Sequence, residues 1–541
     1  MKKIQKYISI SAIIITILLF VGVHAYNQLQ IQTMTFTEEW GRGLEVGKAT
    51  INNTPKMSFV DNKILTTTFA KGGKINYYLT TKEGKLLKKG ISTPEGFNKN
   101  DVGNVEFIDN KMYYSKENKL YVSNFNENKF TKPKIVLEGI SDFRLNKIGN
   151  KNYIVTYNNE HIELYLLNNK KLKKEMTLEN KWSLKDIRFK NINGENYLFL
   201  VNETKNFDIE YYGCKIKSNK ITQVELLNTS IMLGNYELGK FNIEEHNGKI
   251  NICQSVTKVD KGQIGTYFVL LITDKDLKVN VDKKIISAGL EKVDRLGQEV
   301  YLTKEDSGVY ILSSGINLTN KYSNSPDIFK GLVNEDGSIE NITFLSNTLK
   351  YSKNLSILDS EAGKYLSWLD IKDGQYSLFL NSENEKFIEN STKYYKKDYT
   401  RAIITAVSTP LFILPYIPFK GYKFIVYSLL AMLAAGYIMK KLDVRDDKKV
   451  FGIFAIIYLI ISVLVFKDTF YVTKTSMLPG FLKGRYSPYL VAVLLNIIAG
   501  ALTYLVYKAK KNYHFIAYLA IFAMLHVYLS TLLYMPFMFK L

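Results

Sequence analysis

A chain of 541 residues, 46% of them hydrophobic and carrying a formal net charge of +21, is too long for one ordinary domain. The charge is not spread as a nucleic-acid surface would need: residues 1–25 hold three Lys and no acid, 402–541 hold fifteen basic residues against four Asp, and 26–401 hold 54 basic against 47 acidic. A middle so nearly balanced argues against nucleic-acid binding, and an excess placed beside apolar runs reports orientation in a lipid bilayer.

The N-terminus reads Lys2, Lys3, Lys6 and then an apolar run over 7–23, ending in Val23-His24-Ala25. This is a basic region followed by an export helix, so 1–25 is expected to be a signal-anchor or transmembrane helix. The small Ala25 allows cleavage, but an uncleaved anchor is favoured because the run suffices to span. Either way the lysines stay in the cytoplasm and the next segment is placed outside.

Residues 26–398 are polar, rich in Asn and Lys, and built of short alternating apolar runs broken by turn dipeptides. Lys, Asn, Ile and Tyr are heavily used, as in bacteria with AT-rich genomes. Turn pairs recur at Asp61-Asn62, Asp109-Asn110, Gly149-Asn150, Asn193-Gly194, Asn247-Gly248, Gly297-Gln298, Asp336-Gly337 and Asp373-Gly374, in steps of 37 to 54 residues. Two-residue hairpin turns need positive φ, which Asn, Asp and Gly tolerate. One period reads as strands 105–108, 112–115, 120–123 and 130–137; the next as 143–148, 153–157, 162–167 and 172–178. Four antiparallel strands per period of about 40 to 50 residues predict an all-β ectodomain, a β-propeller of seven or eight blades, with a β-sandwich of generic hairpins as the alternative. The last period offers strands at 366–371 and 376–380 and a short one near Phe387, so an N-terminal strand, 31–37 or 49–52, is expected to complete the ring.

Residues 399–541 form the expected α-helical membrane domain of four or five spans, with apolar runs at 402–419, 424–439, 450–466, 486–507 and 512–539. The run 450–466 is uncharged and flanked by Lys449 and Lys467; as a helix it is about 25 Å long, close to the hydrocarbon thickness of a bilayer. The run 402–419 contains Pro410, Pro415 and Pro418, so it is either a kinked span or a re-entrant segment. If it does not cross by itself, Lys440, Lys441, Arg445, Lys448 and Lys449, and also Lys508, Lys510 and Lys511, fall on the cytoplasmic side, as the positive-inside tendency prefers.

Residues for chemistry are sparse, and no catalytic, cofactor-binding or metal set is assigned. His161 and His246 lack metal-ligand spacing. The acids Asp274, Asp276 and Asp282 with Asn280 are more economically a turn between strands than a calcium loop, because the glycine of an EF-hand turn is missing. Within the apolar runs Asn496, Gly500 and Thr503 share a helix face, and His526 lies deep in the last run; these read as helix-packing residues. Cys214 and Cys253 form a disulfide if the middle is exported, or stay as free thiols.

The layout favours a non-enzymatic multi-pass membrane protein. Its extracytoplasmic propeller binds a protein or an envelope polymer, with the lipid bilayer as its other partner. One span, a large outside domain and a helical block also resemble the layout of ABC-2-type exporter permeases, although only six residues precede the first span. An envelope enzyme with its site in the propeller channel is the third reading, and it would need acids and His161 or His246 to converge there.

Overall fold

The computed structural model describes residues 2–541 except 149–150, 169–170, 233, 261, 321–322, 361–362, 443–446, 472–477, 510–514, 535–536 and 538–541. The expected Gly149-Asn150 turn and the cluster residues Arg445, Lys510 and Lys511 lie outside the described residues. Two compact units are present: Met34–Asn320 with Asn324–Lys393, and Met1–Thr33 with Lys321–Ser323 and Tyr394–Leu541.

The first unit is a seven-bladed β-propeller. Its inner strands are Lys56–Val60, Val105–Ile108, Asp142–Ile148, Leu184–Ile192, Asn242–His246, Val300–Glu305 and Tyr351–Leu358. Each begins a sheet whose strands pair antiparallel from the channel outward, with short extra strands in blades 2, 5 and 6. Neighbouring inner strands touch in sequence order from blade 1 to blade 6; that of blade 7 meets the second and third strands of blade 6, Gly308–Asn317 and Pro326–Val333, and returns to the inner strand of blade 1, so the ring is closed. Closure uses the N-terminal strand Leu44–Ala49, which pairs outside Gln375–Ser382 in blade 7. The ring is thus completed as expected, but through residues that meet the anticipated 49–52 only at Ala49. The third element expected near Phe387 is a helix, α2 (Glu385–Ser391), capped by the Asn384 side chain on the Phe387 N–H. Its Phe387 is fully buried between blades 7 and 1.

Burial follows from the radial arrangement. The second strand of blade 1, Lys63–Phe69, is buried along nearly its whole length, whereas its outermost strand, Leu86–Ser92, is exposed but for Ser92. Inner layers lie between two blades and must be apolar or small on both faces; outer strands meet water. One apolar core fills each inter-blade space, such as Leu65, Phe69, Met112 and Tyr114 between blades 1 and 2. Eight turn pairs give seven blades because they are not equivalent. Asp61-Asn62, Asp109-Asn110, Asn193-Gly194 and Asn247-Gly248 join first to second strands, the first residue of each at positive φ, while Asp336-Gly337 and Asp373-Gly374 join later strands. Gly297-Gln298 is not a hairpin turn; it leads into the inner strand of blade 6.

The second unit holds α1 (Lys2–Thr33), α3 (Lys396–Phe412), α4 (Ile417–Leu442), α5 (Asp447–Phe470), α6 (Ser487–Ala509) and α7 (Phe515–Tyr534). Five of these are long and apolar enough to cross a membrane: Tyr7–Thr33, Tyr422–Lys441, Phe451–Phe470, Ser487–Ala509 and Ile516–Tyr534. The anchor helix therefore runs beyond the expected residue 25. The run 402–419 is divided: Pro410 lies in α3, Leu414–Tyr416 form a single tight turn, and Pro418 begins α4. Ile413 packs on Leu532 and Phe20, Phe424 on His526, and Ala431 and Ala435 on Leu519 and Phe522. α3 thus packs along α1 and α4 along α7, the two joined at the turn, and the expected run 402–419 is divided between them.

Candidate functional site

The first residues of the inner strands meet at one mouth of the propeller channel, and they are charged. Lys56 begins the strand of blade 1, Glu106 follows Val105 in blade 2, Asp142 and Arg144 open blade 3, and Asp186 and Arg188 lie early in blade 4. Lys240 precedes the inner strand of blade 5, Glu299 and Tyr301 flank the start of that in blade 6, and Lys353 is third in that of blade 7. These positions follow from strand alternation: in Val105-Glu106-Phe107, Phe143-Arg144-Leu145 and Ile187-Arg188-Phe189 the charged residue faces the channel, and its neighbours Val105, Phe143, Ile187 and Phe189 are buried between blades.

Half of the ring is self-paired. Arg144 donates from Nε to Asp186 Oδ1 at 2.7 Å and from Nη1 to Asp142 Oδ2 at 2.9 Å. Arg188 lies 3.3 Å from the same Asp186 oxygen and donates from Nε to the Phe241 carbonyl at 2.9 Å. Glu106 accepts from the Leu145 N–H at 2.6 Å and from Asn104 Nδ2 at 2.9 Å. Burial disfavours the charge on Asp186, yet Arg144 and Arg188 hold its carboxyl below the usual carboxylate range. Glu106 is held low in the same way, by Arg188, Arg144 and Lys240 against its own burial.

The other half is left uncompensated. Lys56 and Lys240 form no ion pair with a carboxylate among the described residues. Burial lowers the Lys56 ammonium more than Glu106 raises it, with Lys99, Arg144 and Arg188 lowering it further. Enclosure in the ring and the charge of Arg188 push Lys240 down to about 7, with Lys56 adding to the fall and Glu106 and Asp186 opposing it. Lys240 is nonetheless exposed to solvent at the mouth, so water screens part of that shift. Its Nζ stands 4.9 Å from the centre of the Tyr301 ring. Glu299 accepts from Thr54 Oγ1 at 3.1 Å, and its burial pushes its carboxyl above the usual range.

No family model matches this sequence, and no curated protein matches it. Solved structures similar to it include a polysaccharide lyase, Uly1, at 8% identity, covering 66% of this chain and 95% of the other with a TM-score of 0.43. The WD40 domain of SCAP from fission yeast is similar at 8% identity over 65% of this chain and all of the other, with a TM-score of 0.33. Likeness at this level concerns the propeller fold alone.

The residues singled out in the sequence are placed elsewhere. His161 is exposed on the third strand of blade 3. His246 ends the inner strand of blade 5, away from the charged mouth, with Nδ1 buried and unpartnered. Asp274 accepts from the N–H groups of Asp276 and Lys278 at 2.8 and 2.9 Å, Asp276 pairs with Lys215, and Asp282 accepts from Asn228, so these acids stabilise a turn and its surroundings. Of the two states open to the cysteines, the structure has the free thiols: Cys214 is buried between blades 3 and 4 and Cys253 between blades 5 and 6. In the helical unit Asn496 Nδ2 reaches Ser462 Oγ at 2.8 Å and His526 Nε2 at 3.1 Å, and Tyr458 Oη lies 3.0 Å from His526 Nδ1. Asn496 and His526 are thereby brought together, joining α5, α6 and α7. Thr503 donates to Ala499 of its own helix, and a Cβ on Gly500 would stand at an ordinary 3.5 Å from Phe522.

Proposed function

We propose that this chain is a non-enzymatic membrane protein whose propeller, held outside the cytoplasm, binds a protein or envelope-polymer partner at the charged channel mouth. The observation that carries this reading is the division of the mouth into a self-paired acidic and guanidinium network and unpaired lysines. The first fixes geometry and the second is free to meet a partner. The acids near the mouth are engaged by Arg144, Arg188, Asn104 and Thr54 rather than set beside a nucleophile, which suits recognition more than bond cleavage. Full-length protein in lipid nanodiscs should retain isolated envelope polymer, and Lys56→Glu with Lys240→Glu should reduce retention at least tenfold without lowering the melting temperature. Unchanged retention by that double variant would remove the mouth from the reading.

A further inference from the structure

The chemistry of the mouth narrows the class of ligand, an inference that rests on the mouth being a binding site. The guanidinium forks, which match planar carboxylates two bonds at a time, are already spent: Arg144 on Asp142 and Asp186, Arg188 on Asp186 and the Phe241 carbonyl. What stays available are ammonium groups. Lys56 and Lys240 sit on blades 1 and 5, each at or just before the start of its inner strand and so at the same mouth, with Lys240 Nζ 4.9 Å from the centre of the Tyr301 ring. An ammonium is a compact point charge with three donors and no planar preference, suited to the tetrahedral oxygens of a phosphate.

The surroundings agree. Arg188 adds positive field at Lys56 and Lys240 even while its own fork is engaged. The nearby Tyr301 phenol is held above its usual range by burial and by Glu299, so it keeps its proton as a donor. Glu106 faces the same space, but both of its oxygens already accept, from Leu145 and Asn104. Like charges gathered in a protein-walled opening are unfavourable in the empty protein, and an anion placed between them relieves that repulsion.

We propose that the channel mouth is a phosphate-type oxyanion site, held by the ammonium groups of Lys56 and Lys240 with the Tyr301 hydroxyl as a further donor. The ligand is then a phosphate-bearing small molecule or the phosphate group of an envelope polymer.

The test is calorimetric titration of full-length protein in nanodiscs of zwitterionic lipid, at low and at physiological salt, with pyrophosphate and with citrate as probes. Pyrophosphate should bind more tightly than citrate and more weakly at higher salt, and Lys240→Gln and Lys56→Gln should each weaken it at least tenfold. Lys88→Gln, on the exposed outermost strand of blade 1 and away from the mouth, should change it less than threefold. No binding of pyrophosphate, citrate binding as tight, or indifference to both lysine variants overturns the inference. Failure of the binding role itself reads differently. Lys240→Cys carrying a bulky maleimide should block polymer retention if the mouth binds anything at all. Polymer retention blocked by the label but unaffected by Lys56→Gln and Lys240→Gln therefore sinks the oxyanion and keeps the binding role.

Discussion

Two buried aspartates in the propeller show how environment alone sets opposite pH behaviour. Asp186 is ionised because two guanidinium groups face it; its contribution to stability is present at neutral pH and is lost only in acid, as the pH falls through its depressed value. Asp327, 2% exposed in blade 6, forms no ion pair among the described residues. It accepts from Asn317 and Asn320 at 3.4 and 3.3 Å and from Ser346 at 3.2 Å, and burial, with the charge of nearby Asp370 adding to it, pushes its carboxyl up to about 7. The folded protein therefore holds a proton there that the unfolded chain releases near pH 4, so the stabilisation is complete in acid and is lost as the pH rises to about 7. A displacement of that size corresponds to about 4 kcal/mol between the two limits. Asp327→Asn cannot ionise, so its urea midpoint should stay nearly flat between pH 5 and pH 8 where the parent declines. Parallel curves for the two proteins would show that Asp327 does not titrate in this window.

The closing strand is where a single element decides whether the ring exists. Leu44–Ala49 pairs with Gln375–Ser382 across the start and end of the propeller, with a bulge between Glu45 and Gly47. At that bulge blade 1 reaches in: the Tyr78 hydroxyl donates to the Lys48 carbonyl and accepts from the Lys48 N–H, and a Cβ on Gly47 would stand 1.9 Å from Tyr78 Cε1. The ring of Tyr78 is buried and cannot step aside, so Gly47→Val must displace the strand or the tyrosine. Overpacking of this kind costs about 1–3 kcal/mol, and thermal unfolding of the β signal should shift down accordingly; an unaltered midpoint would mean that the bulge tolerates a side chain. The need for such a strand was legible in the sequence because the last period was one strand short. Its position was not, because Leu44–Ala49 carries Gly47 and Lys48 and has no clean alternation, being specified by Tyr78 rather than by its own pattern. The strands 105–108 and 143–148 were legible almost to the residue, since each lies between an unambiguous turn and an alternating run. The channel site was hidden for a related reason: one charge between two apolar residues looks like an ordinary strand until three blades repeat it at the same position. The Asn496 and His526 pairing was half visible, because helical periodicity puts Asn496 on a face but cannot say which helix faces it.

At the scale of the whole molecule, the helical unit determines which way the chain is threaded. Ser9 Oγ donates to the Leu505 carbonyl at 2.7 Å, and His24 Nε2 lies 2.7 Å from the Leu532 carbonyl. The early part of α1 therefore lies beside the late part of α6, and its later part beside the late part of α7. Tyr507 packs on Tyr518, which sets the beginning of α7 at the same level as the end of α6. The broken path through α3 and α4 ends at Lys440 and Lys441, having passed Leu519 with Ala435. Lys440, Lys441 and Lys508 thus share one end of the bundle with the N-terminus of α1, where the sequence has Lys2, Lys3 and Lys6. Both connections to the propeller, after Thr33 and before Lys396, leave from the other end, where Gln30 Nε2 donates to Tyr394 Oη at 3.0 Å. With 34–393 outside the cytoplasm, as proposed above, the end that carries Lys440, Lys441 and Lys508 is the cytoplasmic one. The two native cysteines are buried, which leaves introduced cysteines as clean reporters. In intact cells a membrane-impermeant maleimide should label Lys483→Cys and Lys99→Cys and leave Lys441→Cys and Lys508→Cys unlabelled until the membrane is opened. The reverse pattern would place the propeller in the cytosol, and labelling at Lys99→Cys, Lys441→Cys and Lys508→Cys but not at Lys483→Cys would mean that α3 and α4 cross separately.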